Sequence, residues 1–404
     1  MGRIHALGQV GALPGGGVCR LAFTEADAAG RAVVTGWMRD LGLTVRVDAI
    51  GNTIGVLPGV EDGPPVMTGS HIDTVRTGGL YDGNLGVLAG LEVIQTLVDA
   101  GIRTRRPLAV AFFTNEEGAR FNPDMMGSQV FQGDLPLEQA LDVVGIDGTS
   151  VRDELARTGG AGSAPVGAEH FPVHAFVELH VEQGPLLEED GIDIGAVESV
   201  QGISWTEVTI KGVSNHAGTT PMRLRTDAGF AACSIATFVR KLAHELGGDQ
   251  VATVGSMELR PNLVNVVANH ARLTVDLRNT DSAVMAESER RLDAHLETLR
   301  REEGVAITTR SLVRFEPVTF DQGLVDRIEA VARRHGHSVK RMPSGAGHDA
   351  QILQRMCPAA MIFVPSVGGI SHNIQELTHP ADVAAGANIL LHTLLELAEP
   401  MEAP

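Results

Sequence analysis

The chain has 404 residues, 43% of them hydrophobic, which is long for one domain and suggests two. Lys and Arg number 32 against 50 Asp and Glu, a formal charge of -18 that argues against nucleic acid or an anionic membrane as the main partner. No uninterrupted apolar stretch is long enough to span a bilayer, no signal peptide is recognisable, and the three cysteines lack paired spacing, so we expect a cytoplasmic protein.

The first part of the chain is predicted to alternate helices and strands. A helix over 24–41 begins with Thr24 as its N-cap and ends before Gly42. Strand-like apolar runs follow, and a helical pattern separates the last two of them. The predicted strands are 44–47, 53–57, 66–70 and 108–114, with the helix at 85–100. This alternation predicts an α/β sheet.

Composition changes near residue 200, and the next segment shows a different order of elements. It is predicted to form strand, helix, strand, strand, helix and strand, which is a known small-domain unit. The ranges are 205–211, 227–246, 251–259, 263–279, 282–303 and 305–312. From about Phe320 the α/β pattern returns, with a helix at 324–335, a strand at 361–364 and a helix at 381–399.

We therefore expect an α/β protein with a large catalytic domain, built on a mixed sheet flanked by helices, and a smaller inserted α+β domain. The expected boundaries are 1–200 and 316–404 for the catalytic domain and 201–315 for the insert. The segment 159–168, rich in Gly, Ala and Ser, is predicted to be a loop.

Metal-binding residue types recur where apolar runs end or glycine-rich turns begin. A lone histidine or a Glu-Glu pair is common without any ligand, but this placement occurs five times in one chain. The residues are His71, Asp82, Glu116 with Glu117, His180 and His372. The ends of strands in α/β folds are where ligands bind, and this nitrogen and oxygen set suits zinc, manganese or cobalt. The sequence therefore predicts a two-metal hydrolase.

Eight segments together resemble the M20 metallopeptidase superfamily, and within it the hydantoinase/carbamoylase amidases. They are 69–75 (GSHIDTV), 79–83 (GLYDG), 115–121 (NEEGARF), 178–184 (ELHVEQG), 216–222 (HAGTTPM), 261–265 (PNLVN), 344–349 (SGAGHD) and 369–372 (GISH). The resemblance runs over nearly the whole chain. Against the family pattern, the chain is expected to begin inside the first helical segment.

The resemblance implies five ligands for two divalent metal ions, which can be Mn, Zn, Co or Ni, with Mn or Zn favoured. These ligands are His71, Asp82, Glu117, His180 and His372, with Asp82 bridging both ions. A carboxylate on a glycine-flanked turn can approach two cations, which agrees with that role. Asp73, two residues after His71, is expected to accept the other ring N–H of His71 and fix its tautomer.

Glu116 and Glu117 are adjacent, so their side chains cannot point the same way from an extended backbone. The resemblance implies that Glu117 binds metal and that Glu116 stays free as general base. Glu116 would take a proton from the attacking water and return it to the leaving nitrogen.

The resemblance also implies a substrate site completed by the insert. Arg278 and Asn265 would hold the substrate carboxylate, since an arginine fork suits a carboxylate, and His216 would stabilise the oxyanion. Gln183 and His348 are expected to bind substrate. The insert would act as a lid and dimerisation domain that delivers its residues to the partner's site in a homodimer.

The function implied is hydrolysis of N-carbamoyl-L-amino acids to amino acid, ammonia and carbon dioxide. An allantoate amidohydrolase or a β-ureidopropionase is the alternative, because these enzymes share the ligand set. An M20 peptidase or N-acyl deacylase would carry a carboxylate where His180 stands. A non-catalytic descendant would lack a ligand or the base, and none is missing.

Overall fold

The computed structural model describes residues 1–401 and divides the chain into two compact units. The larger unit contains residues 1–198 and the chain from 320 onward, and the smaller unit contains 199–319. The sequence prediction placed the insert at 201–315. Each unit has its own sheet and its own hydrophobic core, so the two are described in turn.

The elements are numbered in chain order. The helices are α1 (Gly2–Gly8), α2 (Glu25–Asp40), α3 (Asn84–Ala100), α4 (Met126–Gln132), α5 (Leu137–Leu141), α6 (Val151–Thr158), α7 (Leu186–Asp190), α8 (Ala228–Leu246), α9 (Ser282–Glu303), α10 (Gln322–Arg334), α11 (Asp349–Leu353) and α12 (Pro380–Ala398). The strands are β1 (Thr44–Val47), β2 (Thr53–Leu57), β3 (Val66–His71), β4 (Leu108–Phe113), β5 (Ala175–Val181), β6 (Ile194–Val200), β7 (Gly202–Lys211), β8 (Val251–Arg260), β9 (His270–Asn279), β10 (Ala306–Phe315), β11 (Val318–Thr319), β12 (Val339–Ser344) and β13 (Ala359–Val364).

The main sheet has nine strands in the order β1-β2-β4-β3-β5-β13-β6-β11, and β12 also pairs with β6. Its four central strands, β4, β3, β5 and β13, are parallel, whereas β1, β2 and β6 pair antiparallel with their neighbours. Every residue of the four central strands is buried, as expected where helices cover both faces of a parallel sheet. The predicted α/β class is confirmed.

Helices α3 and α12 pack against each other and against the central strands. Of the described residues, only α12 is long and apolar enough to cross a membrane, with a mean hydropathy of 1.2 over its most apolar window. This finding rests on length and composition alone. In the structure α12 buries Ile389, Leu390 and Leu394 in the core, as a helix of a packed protein does.

The smaller unit has four antiparallel strands in the order β10-β7-β9-β8. Helices α8 and α9 pack on this sheet, and their apolar residues form one core with the inward residues of β7 and β9. Burial alternates along β9, where Leu273, Val275 and Leu277 are buried. One face of the sheet is therefore apolar and covered, and the other is polar.

The predicted order of elements in the smaller unit is correct, but one strand begins too early in the prediction. Residues 263–269 do not join β9, which begins at His270. They form a turn in which Val266 N–H donates to the carbonyl of Leu263, and Val264 is fully exposed. The side chains of Leu263, Val264, Val266 and Val267 are apolar, as in a strand. A pattern of side chains does not show whether the backbone pairs with a neighbouring strand.

Candidate metal centre and active site

The predicted metal-binding residues of the larger unit gather at one edge of the main sheet. The strand β3 ends at His71, β4 ends just before the segment Asn115–Glu117, and His180 is the penultimate residue of β5. Because β3, β4 and β5 are parallel, their carboxyl ends meet at this edge. The sheet topology therefore brings together groups that are up to about a hundred residues apart in sequence.

The ring of His71 is oriented by the backbone, which corrects the prediction for Asp73. Nδ1 of His71 lies 2.9 Å from the carbonyl oxygen of Asp73, and 4.0 Å from its carboxylate. Asp73 lies beyond the end of the strand, in irregular backbone, so the two-residue alternation of a strand does not extend to it. Its two carboxylate oxygens instead accept the backbone N–H groups of Glu116 and Glu117, each at 3.3 Å. Asp73 therefore fixes the backbone of the Glu116-Glu117 pair.

Asp82 lies on a tight turn that enters α3 at Gly83. The φ angle of Gly83 is 63°, and a Cβ atom there would lie 2.4 Å from the ring of His71. Only glycine combines that backbone conformation with that close approach. The turn therefore places Asp82 close to the histidines.

The carboxylate of Asp82 is shared between two groups of ring nitrogens. Its Oδ1 lies 3.6 Å from Nε2 of His71 and 3.3 Å from Nε2 of His180, and its Oδ2 lies 3.3 Å from Nε2 of His372. Nε2 of His372 is also 3.3 Å from Oε2 of Glu117. Two triplets result, His71 with Asp82 and His180, and Asp82 with Glu117 and His372, each compact enough to hold one cation.

The two adjacent glutamates point to different partners. Oε2 of Glu116 lies 3.3 Å from Nε2 of His71, whereas Glu117 faces His372. The preceding residue, Asn115, has a φ angle of 53°, which is uncommon for residues other than glycine. Such backbone conformations are concentrated at functional sites.

The electrostatics of the cluster suit a site that binds cations. Burial raises the pKa of Glu116 well above its ordinary value against the opposing effect of His71, and burial followed by Asp82 raises the pKa of Glu117 to about 8. Burial acts in the same direction on Asp82, but His180 and His372 outweigh it and hold its pKa well below the ordinary value. Buried carboxylates this crowded require positive charge nearby.

The histidine tautomers also suit metal binding. Nδ1 of His180 lies 2.9 Å from the carbonyl oxygen of Val181, and Nδ1 of His71 is bonded in the same way. In the neutral ring this leaves Nε2 with its lone pair, and Nε2 of His180 accepts the N–H of Gly83 at 3.1 Å. His71, Asp82, Glu117, His180 and His372 could therefore hold two ions between them.

Gln183 and His348 reach this cluster from two other segments. Nε2 of the Gln183 amide donates to Oδ2 of Asp82 at 2.9 Å, and its Oε1 is buried without a partner. The ring of His348 packs against that of His180, with centroids 4.5 Å apart, and its Nε2 bonds Ser344. A role in substrate binding stays a prediction for both.

A third group, Glu178 with His180 and His348, is also compact enough to hold a metal. The carboxylate of Glu178 accepts the hydroxyl of Ser70 at 2.6 Å and the N–H of Ala350 at 2.9 Å. We interpret this group as support for His180.

The remaining predicted residues, His216, Asn265 and Arg278, lie in the smaller unit. His216 and Asn265 are on neighbouring segments, joined by a bond from Ala217 N–H to the Asn265 carbonyl at 2.9 Å. Nδ1 of His216 accepts two backbone N–H groups, so a neutral ring carries its proton on Nε2. Arg278 lies on the polar face of β9 and forms an ion pair with Asp276 at 2.9 Å.

Comparison with known proteins agrees with this geometry. Residues 67–396 match the model of peptidase family M20/M25/M40. The chain belongs to this family. The N-carbamoyl-L-amino-acid amidohydrolase of Rhizobium meliloti is 41% identical over 98% of this chain and 95% of its own, and the allantoate amidohydrolase of Escherichia coli is 36% identical over 97% and 96%.

The crystal structure of a hydantoinase/carbamoylase family amidase from Burkholderia multivorans is 42% identical. It has a TM-score of 0.95 and covers 98% of this chain and 96% of that one. The resemblance to the hydantoinase/carbamoylase amidases of the M20 family is therefore confirmed.

Two buried glutamates near the proposed metal ligands were not predicted from the sequence. Glu178 could have been found, because it lies two residues before His180 on β5 and so shares its face. Glu376 follows His372 by four residues in a loop, and its carboxylate accepts the N–H groups of Tyr81 and Asp82. No local pattern marks Glu376, because its partners are about 295 residues away.

Proposed function

We propose that this protein is a metal-dependent amidohydrolase that cleaves the carbamoyl C–N bond of N-carbamoyl-L-amino acids. The products are the L-amino acid, ammonia and carbon dioxide. The observation that carries the proposal is the shared Asp82 carboxylate, with His71 and His180 near one oxygen and His372 near the other. The similarity to the Rhizobium meliloti amidohydrolase supports the substrate class.

His71, Asp82, Glu117, His180 and His372 would hold two divalent ions, with Asp82 between them. Histidine and carboxylate ligands accept Mn, Zn, Co and Ni, and we favour Mn or Zn. The ions, when bound, would polarise the carbamoyl carbonyl and make the attacking water more acidic. The three free cysteines suit a reducing compartment, and we place the enzyme in the cytoplasm.

Glu116 serves as the general base in this proposal. It takes a proton from water, the oxygen forms a bond to the carbamoyl carbon, and the C–N bond to the amino acid breaks. The carbamate released in this step decomposes to ammonia and carbon dioxide. Glu116 then returns the proton to the leaving nitrogen. Its burial and raised pKa suit a group that must both accept and donate a proton, and Asp73 fixes its backbone.

The smaller unit, as a lid and dimerisation domain, supplies the groups that bind the rest of the substrate. Arg278 and Asn265 hold the carboxylate, and Nε2–H of His216 donates to the oxygen that becomes negative in the transition state. Gln183 and His348 contribute from the larger unit. We propose a homodimer in which the lid residues of one chain complete the site of the other.

A second candidate substrate is allantoate, because a relative with that activity in its name is 36% identical over 97% of this chain. A β-ureidopropionase is a third, since the carbamoyl group and the carboxylate recur in its substrate. Peptidase activity is less favoured, because His180 occupies the position where a peptidase of the superfamily would carry a carboxylate.

A turnover screen of protein reconstituted with Mn²⁺ tests the proposal. N-carbamoyl-L-amino acids, their D-enantiomers, allantoate, N-carbamoyl-β-alanine and dipeptides would be compared by kcat/KM. We expect the N-carbamoyl-L-amino acids to be hydrolysed fastest and a chelator to abolish turnover. Preference for allantoate or N-carbamoyl-β-alanine selects that alternative, and faster cleavage of dipeptides contradicts the carbamoylase assignment.

A further inference from the structure

We propose that Glu376 is a positioning residue that ties the turn carrying Asp82 to the loop carrying His372. The second ion position, formed by Asp82, Glu117 and His372, depends on this tie more than the first position does. The inference rests on the proposed role of these residues as metal ligands. It assigns a task to a residue that lies outside the ligand set.

Glu376 holds the Asp82 turn from behind. Its side chain is 6% exposed, and its Oε1 accepts the backbone N–H of Tyr81 at 2.9 Å and that of Asp82 at 3.1 Å. Hydrogen bonds from N–H groups to a carboxylate are roughly twice as strong as those between neutral groups. The backbone that presents Asp82 is therefore fixed by a buried carboxyl acceptor.

Gly79, in the turn that carries Asp82, leaves space for this carboxylate. A Cβ atom on Gly79 would lie 2.2 Å from Oε1 of Glu376, closer than any side chain can come. Gly79 has no positive φ angle that would demand glycine for its backbone alone. The close approach of Glu376 is the reason for glycine at this position.

The other oxygen of Glu376 reaches the loop of His372. The hydroxyl of Ser371 lies 3.4 Å from Oε2 of Glu376 and 3.3 Å from Oδ2 of Asp82. The N–H of Glu376 donates to the carbonyl of Asn373 at 3.0 Å. These bonds flank His372 on both sides, and its φ angle of 54° is one that the loop must hold against strain.

The two ion positions differ in how their histidines are held. His71 and His180 are 1% exposed, are part of buried strands, and have Nδ1 bonded to backbone carbonyls. The side chain of His372 is 52% exposed and comes from a loop. Loss of Glu376 would therefore displace His372 and Oδ2 of Asp82 more than the residues around Oδ1.

Calorimetric titration of metal-free protein with Mn²⁺ tests the inference without any turnover. The wild type should bind two ions per chain. In Glu376→Ala the affinity for one ion should fall about 10–100-fold, the usual effect of losing an outer partner of the ligands, while the other ion stays bound. Glu376→Gln should retain much of the affinity, because its amide oxygen can accept the same two N–H groups.

Glu182 provides a matched control. It is 8% exposed and also accepts two backbone N–H groups, those of Leu186 at 2.8 Å and Leu187 at 2.9 Å, at the start of α7. Glu182→Ala should lower the melting temperature and still bind two ions. Equal loss of one ion in both alanine variants would mean that general destabilisation, and not the tie, controls the second position, and would overturn the inference.

Gly79→Ala gives an independent test should Glu376→Ala not fold. The new methyl group pushes Glu376 away without removing any charge, so the same ion should be weakened. Wild-type affinity for both ions in Gly79→Ala or Glu376→Ala overturns the inference while leaving the two-ion site intact. Fewer than two ions in the wild type would instead remove the ligand assignment itself.

Discussion

The two sheets of this protein carry functional side chains in opposite ways. In the larger unit, β3, β4, β5 and β13 are buried at every position, and the proposed ligands stand at strand ends or on the adjoining turns. In the smaller unit, β9 alternates buried and partly exposed residues, and Arg278 projects from the polar face. A strand that is buried on both faces cannot hold an unsatisfied polar group, so reactive side chains are found at its ends.

The difference extends to how each group is held. Around Asp82 several groups have buried protein partners. Nδ1 of His71 lies 2.9 Å from the carbonyl oxygen of Asp73, and the backbone N–H of Asp82 donates to the carboxylate of Glu376. In the smaller unit His216 and Asn265 are exposed. Most of the proposed metal ligands in the larger unit are therefore more enclosed than the proposed substrate-binding residues His216 and Asn265 of the smaller unit.

The largest expected effect comes from the adjacent glutamates. Glu116→Gln removes the base but keeps its shape, so kcat should fall about 10²–10⁴-fold while both ions stay bound. Glu117→Gln should instead lose an ion, because Glu117 faces His372 and Asp82. Steady-state kinetics and metal analysis after gel filtration check both variants. The reverse result would show that the two roles are exchanged.

The second prediction concerns Arg278 and the dimer. Arg278→Ala should keep both ions and lower kcat/KM about 10²-fold, since losing the anchor also misaligns the reacting carbonyl. Arg272→Ala is the control, because Arg272 lies on the same face of β9 with its own acidic partners.

His216→Ala should lower kcat more than it raises KM, because the negative charge on the substrate oxygen that His216 would stabilise develops only in the transition state.

Mixing Arg278→Ala with Glu116→Gln protein tests whether the site is shared between chains. Where subunits exchange, some hybrid sites would combine an intact arginine with an intact base, and activity should return in part. No recovery despite demonstrated exchange would mean that each chain builds its own site.

A smaller effect should separate the two units by stability. Glu154 in the larger unit is 5% exposed, and its bonds from Arg157 and then Arg120 lower its pKa to about 2. Its stabilisation is present above the unfolded pKa of about 4.5 and is lost as the pH falls towards 2. Glu154→Gln should reduce the unfolding free energy by about 1–3 kcal/mol at pH 7, and the difference should vanish in that acid window.

Glu287 in the smaller unit makes the matching test. Arg290 and Arg291 likewise lower its pKa to about 2, but the pair lies on the surface of α9. Glu287→Gln should change stability much less, and salt should remove what remains. Denaturant titrations of both variants at two salt concentrations compare them. A larger loss for Glu287→Gln would contradict the view that burial decides the value of these ion pairs.

The smallest effect is expected in thiol reactivity. Cys233 on α8 is exposed, whereas Cys357 is 7% exposed and burial raises its pKa to about 12. A thiol reagent at pH 8 should modify Cys233 rapidly and Cys357 only after unfolding, as followed by mass spectrometry. Rapid modification of Cys357 in the native protein would show that the larger unit opens more readily than its burial implies.

Much of the fold could be predicted because helices and strands depend on the pattern of apolar residues and caps within each segment. The ranges of β1 and β2 are predicted without error, and α2 begins after its Thr24 cap, whose hydroxyl accepts the N–H of Asp27. The short helices α4, α5 and α6 were not predicted, because five to eight residues hold too few turns for a clear period. The false start of the β9 prediction at Leu263 has the same origin: an apolar run does not reveal whether its backbone finds a partner strand.

The sequence by itself determined which residue types could bind metal and that they follow apolar runs, since both are properties of neighbouring residues. Only the tertiary structure decided that the carboxylate of Asp73 bonds the backbone of Glu116 and Glu117 and not the ring of His71, because this depends on β3 and β4 lying side by side. It alone brought Glu376 behind Asp82. Hydrogen bonds between segments about 295 residues apart leave no period or spacing in the chain, because they depend on how the sheet is assembled.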